Sequence, residues 1–337
     1  IKEVLLCQDQ SFRRLYQQHQ EIEQSLSNLN EKNVLTSREE MAEKEDTKSK
    51  RDPFEFIKQK AAEVAAKAEQ KAAETPRQMF LPGMDEFMRA MPNHIARSSL
   101  FAPVARGRRK LHDGTILQSR GDAEIRFSGK QLDEAQADVW MQAMKEAQRQ
   151  PLGEAVTINR AEFLREIGRE KSGQAYKWLH RTMQDLAFAM LVIEVTKADG
   201  KPKLSIGKTR ALHLITGFDY DEDSEEYTLT IDPRWHAMYD NREFALIDWQ
   251  KRREFGRNQD MAKTLQRLVA TSSNPVQRYA LDWLKSKMEY SSPMRKFREA
   301  LAVACTELER LEIIAAHKIE DSTKGKPQLA LWLPGQA

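Results

Sequence analysis

Apolar residues recur along this chain with two different periods, and the change of period marks its organisation. Over residues 1–29, Leu5, Leu6, Phe12, Leu15, Tyr16, Ile22, Leu26 and Leu29 include several spacings of three or four positions, those of one helical face. Residues 31–50 are charged and almost free of large apolar groups, which predicts a solvated or disordered stretch. Residues 54–74 (FEFIKQKAAEVAAKAEQKAAE) have high helix propensity and little to bury. Residues 1–75 thus read as a helical or disordered N-terminal arm, either a plain extension or a coiled-coil, partner-binding one. Pro76, Pro82, Gly83 and Pro92 break this pattern. Residues 76–130 read as a linker and basic segment, with Arg106, Arg108, Arg109 and Lys110 clustered around Gly107.

From residue 131 the pattern becomes globular, and it repeats once. In the first copy, residues 132–149 place Val139, Trp140, Ala143 and Met144 at helical spacing. A short strand (155–158), a short helix (160–167), a turn and a longer helix (174–188) follow. Residues 190–195 and 203–206 then form a hairpin. Two more strands, 211–217 and 226–232, flank an acidic loop at 219–225. The second copy has predicted helices at 260–270, 276–287 and 294–311, then strands at 313–319 and 328–333. Helix, short helix, turn, longer helix and hairpin is the winged-helix order. The expected fold class is therefore α+β, mostly helical, with tandem winged-helix domains over 131–248 and 249–337. Residues 249–257 (WQKRREFGR) join the copies, as a basic connector touching phosphate or as a solvated helix.

This arrangement gives the charge pattern a meaning. A helix-turn-helix lays its second helix in the DNA major groove, with side chains near that helix's N-terminus at the base edges. In the first copy Arg169, Lys171 and Ser172 precede a helix carrying Gln174, Lys177 and Arg181. In the second, Ser291 and Ser292 precede Arg295, Lys296 and Arg298. Arg and Gln suit base edges, while Ser, Lys and backbone N–H groups suit phosphates. The hairpins add Lys197, Lys201 and Lys203, then Lys318, Lys324 and Lys326. A net charge of +3 is too mild to announce nucleic acid, but residues 169–210 hold nine Lys or Arg against only Glu170, Asp185, Glu194 and Asp199. A solvated face explains either helix alone. Two such helices at matching positions, each with a basic hairpin behind it, point to double-stranded DNA.

Other function classes find little support. The longest uncharged apolar run, 187–193, is far shorter than the roughly 18 residues a membrane span needs. Cys7 and Cys305 lie nearly a whole chain apart and belong to no metal-ligand cluster, which predicts a reducing, cytoplasmic setting. Neither HExxH nor GxSxG occurs. The run GREKSGQ (168–174) puts Gln174 where a phosphate loop needs Lys. The acidic run DYDEDSEE (219–226) lacks the spacing and glycine of a calcium loop. No catalytic residue, metal or cofactor is expected.

One segment is more specific. Residues 88–101 (MRAMPNHIARSSLF) resemble the TrfA family of plasmid replication initiators. Trp140 through Pro151-Leu152-Gly153-Glu154, the Ile231-Asp232 strand end and AVACTELERL (302–311) fit as well, so the resemblance runs over about 77–333. It implies a bacterial protein that binds directly repeated origin sites (iterons), helps open an adjacent AT-rich segment and contacts its single strand. It also implies host partners, namely the sliding clamp, DnaA and the replicative helicase, and an active monomer with a dimer as the inactive store. The family's clamp-binding segment, of QLSLF type, falls on Gln78, Phe80 and Leu81, with Pro82 in place of the terminal aromatic. Gln328, Leu329, Leu331 and Trp332 spell a closer match, and their alternation equally fits a last hairpin strand. A winged-helix transcriptional regulator would share these helices and need no clamp or single-strand contact.

Overall fold

The structure, a computed structural model, describes residues 87–335 apart from 105, 106, 108, 121, 198, 199 and 240–242. The expected N-terminal arm, Arg106, Arg108, Gln78, Phe80 and Leu81 lie outside the described residues.

The chain builds two lobes, each around its own hydrophobic core. The first begins with β1 (Met88–Pro92), α1 (Asn93–Arg97), β2 (Phe101–Ala102), β3 (Leu111–Ile116), β4 (Ala123–Lys130) and β5 (Leu132–Asp133). The segment read as a linker thus carries strands, and Met91, Ile95, Phe101, Ile125 and Phe127 from it are buried in the core. Next come α2 (Glu134–Ala147), β6 (Ala155–Asn159), α3 (Arg160–Glu166) and α4 (Gly173–Phe188). The lobe closes with β7 (Met190–Thr196), β8 (Pro202–Ile206), β9 (Leu212–His213), β10 (Gly217–Asp221), β11 (Glu226–Thr230), α5 (His236–Tyr239) and β12 (Phe244–Asp248). Helix and strand are present in comparable amounts, where a mostly helical chain was expected. Much of the difference is β1, β3 and β4, which fall in the segment read as a linker; β1 and β4 pair with strands far along the chain.

A connecting helix, α6 (Trp249–Arg253), whose Trp249 joins the first core, leads to the second lobe, which comprises α7 (Asp260–Val269), β13 (Val276–Ala280), α8 (Leu281–Lys287), α9 (Met294–Arg310), β14 (Ala316–Asp321) and β15 (Pro327–Trp332). Residues 276–287, expected as one helix, divide into β13 and α8. Val276 and Tyr279 suit a strand, β13 pairs with β15 (Val276 opposite Trp332), and the buried Gln277 amide donates to the Val269 and Ser272 carbonyls.

Strand order reveals the relation between the lobes. The second lobe's sheet runs β13–β15–β14, and one sheet of the first runs β6–β11–β10, all antiparallel. In both, the strand before the short helix pairs with the second strand of a later hairpin. A separate first-lobe sheet, β3–β4–β7–β8 with β9 against β7, takes β3 and β4 from before α2 and has β7, β8 and β9 inserted between α4 and that hairpin.

Helix α2 is buried on nearly every side. Its start is fixed by a capping box, with the Asp133 carboxylate accepting from the Gln136 N–H and the Gln136 side chain accepting from the Asp133 N–H, each at 2.9 Å. Trp140 donates its indole N–H to the Leu214 carbonyl and meets Trp235 edge-on at 5.0 Å. The same helix carries two acids inward, toward the second lobe. Fully buried Glu134 accepts from Arg252 (2.8 Å), from Thr264 (2.7 Å) and from Arg267 through both oxygens. Asp138 accepts from Arg252 and from Lys263, each at 2.7 Å. Arg252 stands on α6, so the connecting segment is neither a solvated helix nor a phosphate contact at this position. It is the buried hinge pin between α2 and α7.

Burial pushes the Glu134 carboxyl up, but the Arg267 and Arg252 guanidiniums and the hydrogen bonds outweigh it and hold the group at about 2. Removing one partner of a buried pair strands the others. Glu134→Ala should therefore cost about 3–5 kcal/mol of stability in urea unfolding; an unchanged transition would show that the network holds nothing. A depressed carboxylate contributes stability that is present above its unfolded pKa and lost below it. The parent should accordingly lose stability as pH falls from 4.5 toward 2, more steeply than Glu134→Gln, by tryptophan fluorescence.

Candidate nucleic-acid interface

Helix α4 owes its position to local signals. Gly168, at φ +72°, ends the preceding turn, and the Ser172 hydroxyl caps α4 by accepting from the Ala175 N–H at 3.1 Å. Ser172 is thereby engaged by the helix itself. Leu179, Thr182, Met183 and Leu186 face the core. Gln174, Lys177, Arg181 and Gln184 form an exposed stripe at spacings of three and four. Lys171 is exposed just ahead of them, and neither it, Lys177 nor Arg181 has an ion-pair partner among the described residues. No acidic residue stands in the first turn. Arg169 reaches over from the turn and lies on the Trp178 ring, its guanidinium carbon 3.6 Å from the ring centroid. The structure thus brings together Arg169, Lys171, Ser172, Gln174, Lys177 and Arg181.

Helix α9 occupies the corresponding place in the second lobe. Phe297, Leu301, Ala304, Cys305 and Leu308 are buried, while Arg295, Lys296 and Arg298 are exposed and Ser292 is half-buried ahead of the helix. Arg295 is already paired with Glu299 at 2.7 Å, so this face presents a weaker positive field than α4. Lys324 is exposed at the tip of β14–β15.

Lys201 has a different setting from the one the sequence suggested. By strand order, the first-lobe counterpart of β14–β15 is β10–β11, whereas β7–β8 belongs to the inserted sheet. The β7–β8 end is tied to the residues just before β4 and β12, through the Thr196 N–H to the Asp122 carbonyl (2.9 Å) and Lys203 to Glu243. The sequence pattern took the first hairpin after α4 because β4, the strand that claims β7, lies some sixty residues upstream. The true counterpart carries the acidic tip, Asp221 to Glu226. The two lobes therefore hold hairpins of opposite charge at one topological position.

Sequence reasoning also missed what locks the β10–β11 hairpin to α4. His180 lies edge-on to Phe218 at 5.5 Å, and its Nδ1 is 3.4 Å from the Tyr227 hydroxyl. Burial pushes the Tyr227 phenol up to about 12. Arg160 sits over Tyr176 (4.1 Å) and Tyr220 (5.2 Å) and pairs with Glu225 at 2.6 Å. The alternation of Phe218, Tyr220 and Tyr227 with acidic residues was the available signal.

The clamp-like residues Gln328, Leu329, Leu331 and Trp332 form the central strand β15, hydrogen-bonded on both edges, with Leu329 and Leu331 fully buried. They are committed to the sheet. Among the described residues no group of three or more His, Cys, Asp or Glu could hold a metal ion, and no helix is long and apolar enough to cross a membrane.

Arg160→Ala should free the hairpin, with amide exchange in β10 and β11 quickened by roughly tenfold, the scale of one lost cation–π contact with its ion pair. Unchanged exchange would mean that the aromatic contacts suffice.

A family model described as TrfA protein matches residues 54–324. The plasmid replication initiator protein TrfA of Escherichia coli is 24% identical over 227 residues, covering 66% of this chain and 56% of that relative. The chain thus spans about half the length of the curated relative it matches. Two crystal structures of domains 2 and 3 of RctB superpose with TM-scores of 0.47 (a selenomethionine derivative) and 0.45, each at 13% identity. They cover 73% and 72% of this chain, and 99% and 97% of their own.

Proposed function

The chain belongs to the TrfA family, and on that premise we propose that it is a plasmid replication initiator that binds directly repeated duplex sites through two winged-helix lobes. The observation that carries this reading is the repeated strand order, β6–β11–β10 and β13–β15–β14, each framing a long helix with exposed cations. In this reading α4 and α9 enter major grooves. Arg169, Gln174 and Arg181, with Arg295 and Arg298, meet base edges, while Lys171, Lys177, Ser292, Lys296 and Lys324 meet phosphates. Lys201, on the inserted hairpin, makes a separate phosphate contact. The buried Glu134 network holds the two helices at one spacing, which suits a repeat of constant length.

The role is binding, followed by opening of AT-rich DNA and recruitment of host proteins, the sliding clamp, DnaA and the replicative helicase among them. Clamp contact falls to Gln78, Phe80 and Leu81, since the second candidate segment is a central strand. The protein works in the bacterial cytoplasm, as a monomer on its sites with a dimer in reserve.

The test is binding of the full chain to duplex DNA from its replicon, directly repeated against scrambled, across a salt series. Repeat-specific binding with a steep salt slope is expected. Lys177→Ala should weaken binding to all sequences alike and lower the salt slope by about 1, whereas Arg181→Ala should cost about 1–3 kcal/mol on the repeat alone. Sequence-blind binding by the parent would overturn the iteron reading. Specific binding to a promoter operator in place of origin repeats would favour a winged-helix transcriptional regulator.

A further inference from the structure

Tyr176, Trp178, Leu179, Met183 and Leu186 are apolar positions of α4. The structure gives the core to Leu179, Met183 and Leu186 and leaves Trp178 half-buried. On the helix surface Trp178 lies four residues after Gln174 and three before Arg181, so its ring sits between two members of the exposed stripe. Arg169 belongs to the turn that Gly168 opens, yet its guanidinium lies on that ring at 3.6 Å.

We propose that Trp178 is a positioning residue for DNA recognition, an indole platform that fixes the plane of the Arg169 guanidinium beside Gln174 and Arg181. The inference rests on the duplex-binding reading above. An exposed arginine samples many rotamers, and each must be lost when it binds. Stacking on indole, the strongest aromatic partner for a cation, removes much of that freedom beforehand. It engages the face of the guanidinium, whereas hydrogen bonding uses the edge, so the two do not compete. A fixed plane matters most for a planar pair of acceptors taken bidentately. Guanine O6 and N7 offer such a pair, and so do two phosphate oxygens.

A double-mutant cycle on the full chain tests this, with parent, Trp178→Leu, Arg169→Ala and the double variant binding repeated and scrambled duplexes. Each single change should weaken repeat binding by roughly 2- to 30-fold, the range of a cation–π contact. The double variant should bind no worse than the weaker single, because both changes remove one contact. Trp178→Phe, which keeps a ring and the packing, should recover part of the loss; a purely structural role for the indole would not make the Trp178 effect vanish in an Arg169→Ala background. A loss confined to the repeat, and reproduced by 7-deazaguanine in the DNA, identifies guanine as the acceptor; an equal loss on both duplexes identifies phosphate. Multiplicative losses in the double variant, or a Trp178→Leu protein that binds like the parent, overturn the proposal. A parent that does not prefer the repeat overturns the duplex-binding reading itself, and the parent measurement alone reveals it.

Discussion

Two carboxylates and three cations meet out of water between the lobes, and the arrangement of the molecule depends on how completely they satisfy one another. Glu134 and Asp138 come from α2, Arg252 from the connector and Lys263 and Arg267 from α7. Burying such charges costs several kcal/mol per ion, recovered only if the geometry is good and the remaining donors are used. Here they are: Arg252 also donates to the Lys263 carbonyl at 2.8 Å, and Arg267 to the Phe101 carbonyl at 3.0 Å. A hydrophobic seam would tolerate sliding. A network of directed bonds from three elements admits one docking of α7 on α2.

Around that seam the chain repeats one strand-and-helix plan and varies its surface. Both lobes frame a long amphipathic helix with a three-stranded sheet, but α4 has no acid in its first turn, whereas α9 pairs Arg295 with Glu299. The hairpins diverge further, lysine at one tip and carboxylates at the other. Packing requirements are kept in both copies, since α4 and α9 each bury a mainly apolar face. Exposed positions carry no such constraint and have been free to differ in sign.

What was legible in the sequence was what local chemistry specifies. The end of α3 and the start of α4 were read to within a residue because a stop at Gly168 and a cap at Ser172 are written beside the helices they bound. The exposed stripe of α4 followed from helical periodicity. What failed was non-local. Strand β1 finds β12 across some 150 residues, and β4 claims β7, so the hairpin nearest α4 was taken for the one that completes its sheet. The family resemblance ran through MRAMP, the very residues of β1, without revealing that they form a buried strand. Arg252 looked like a phosphate contact or a solvated side chain in WQKRREFGR because nothing local tells a surface arginine from one that meets two acids more than a hundred residues away.

Because Arg252 stands on the connector and is itself a ligand of α2, the span between α4 and α9 is not set by the length of the loop that joins the lobes. Phe255 anchors this loop in the second core, which leaves the exposed residues 256–258 as the place where its length could change without moving the seam. The pair behaves as a caliper with its jaws welded, and its gauge is recorded in side-chain chemistry. A change of gauge in a descendant of this chain would have to appear as coordinated replacement of Glu134, Asp138, Arg252 and Arg267, and not as an insertion.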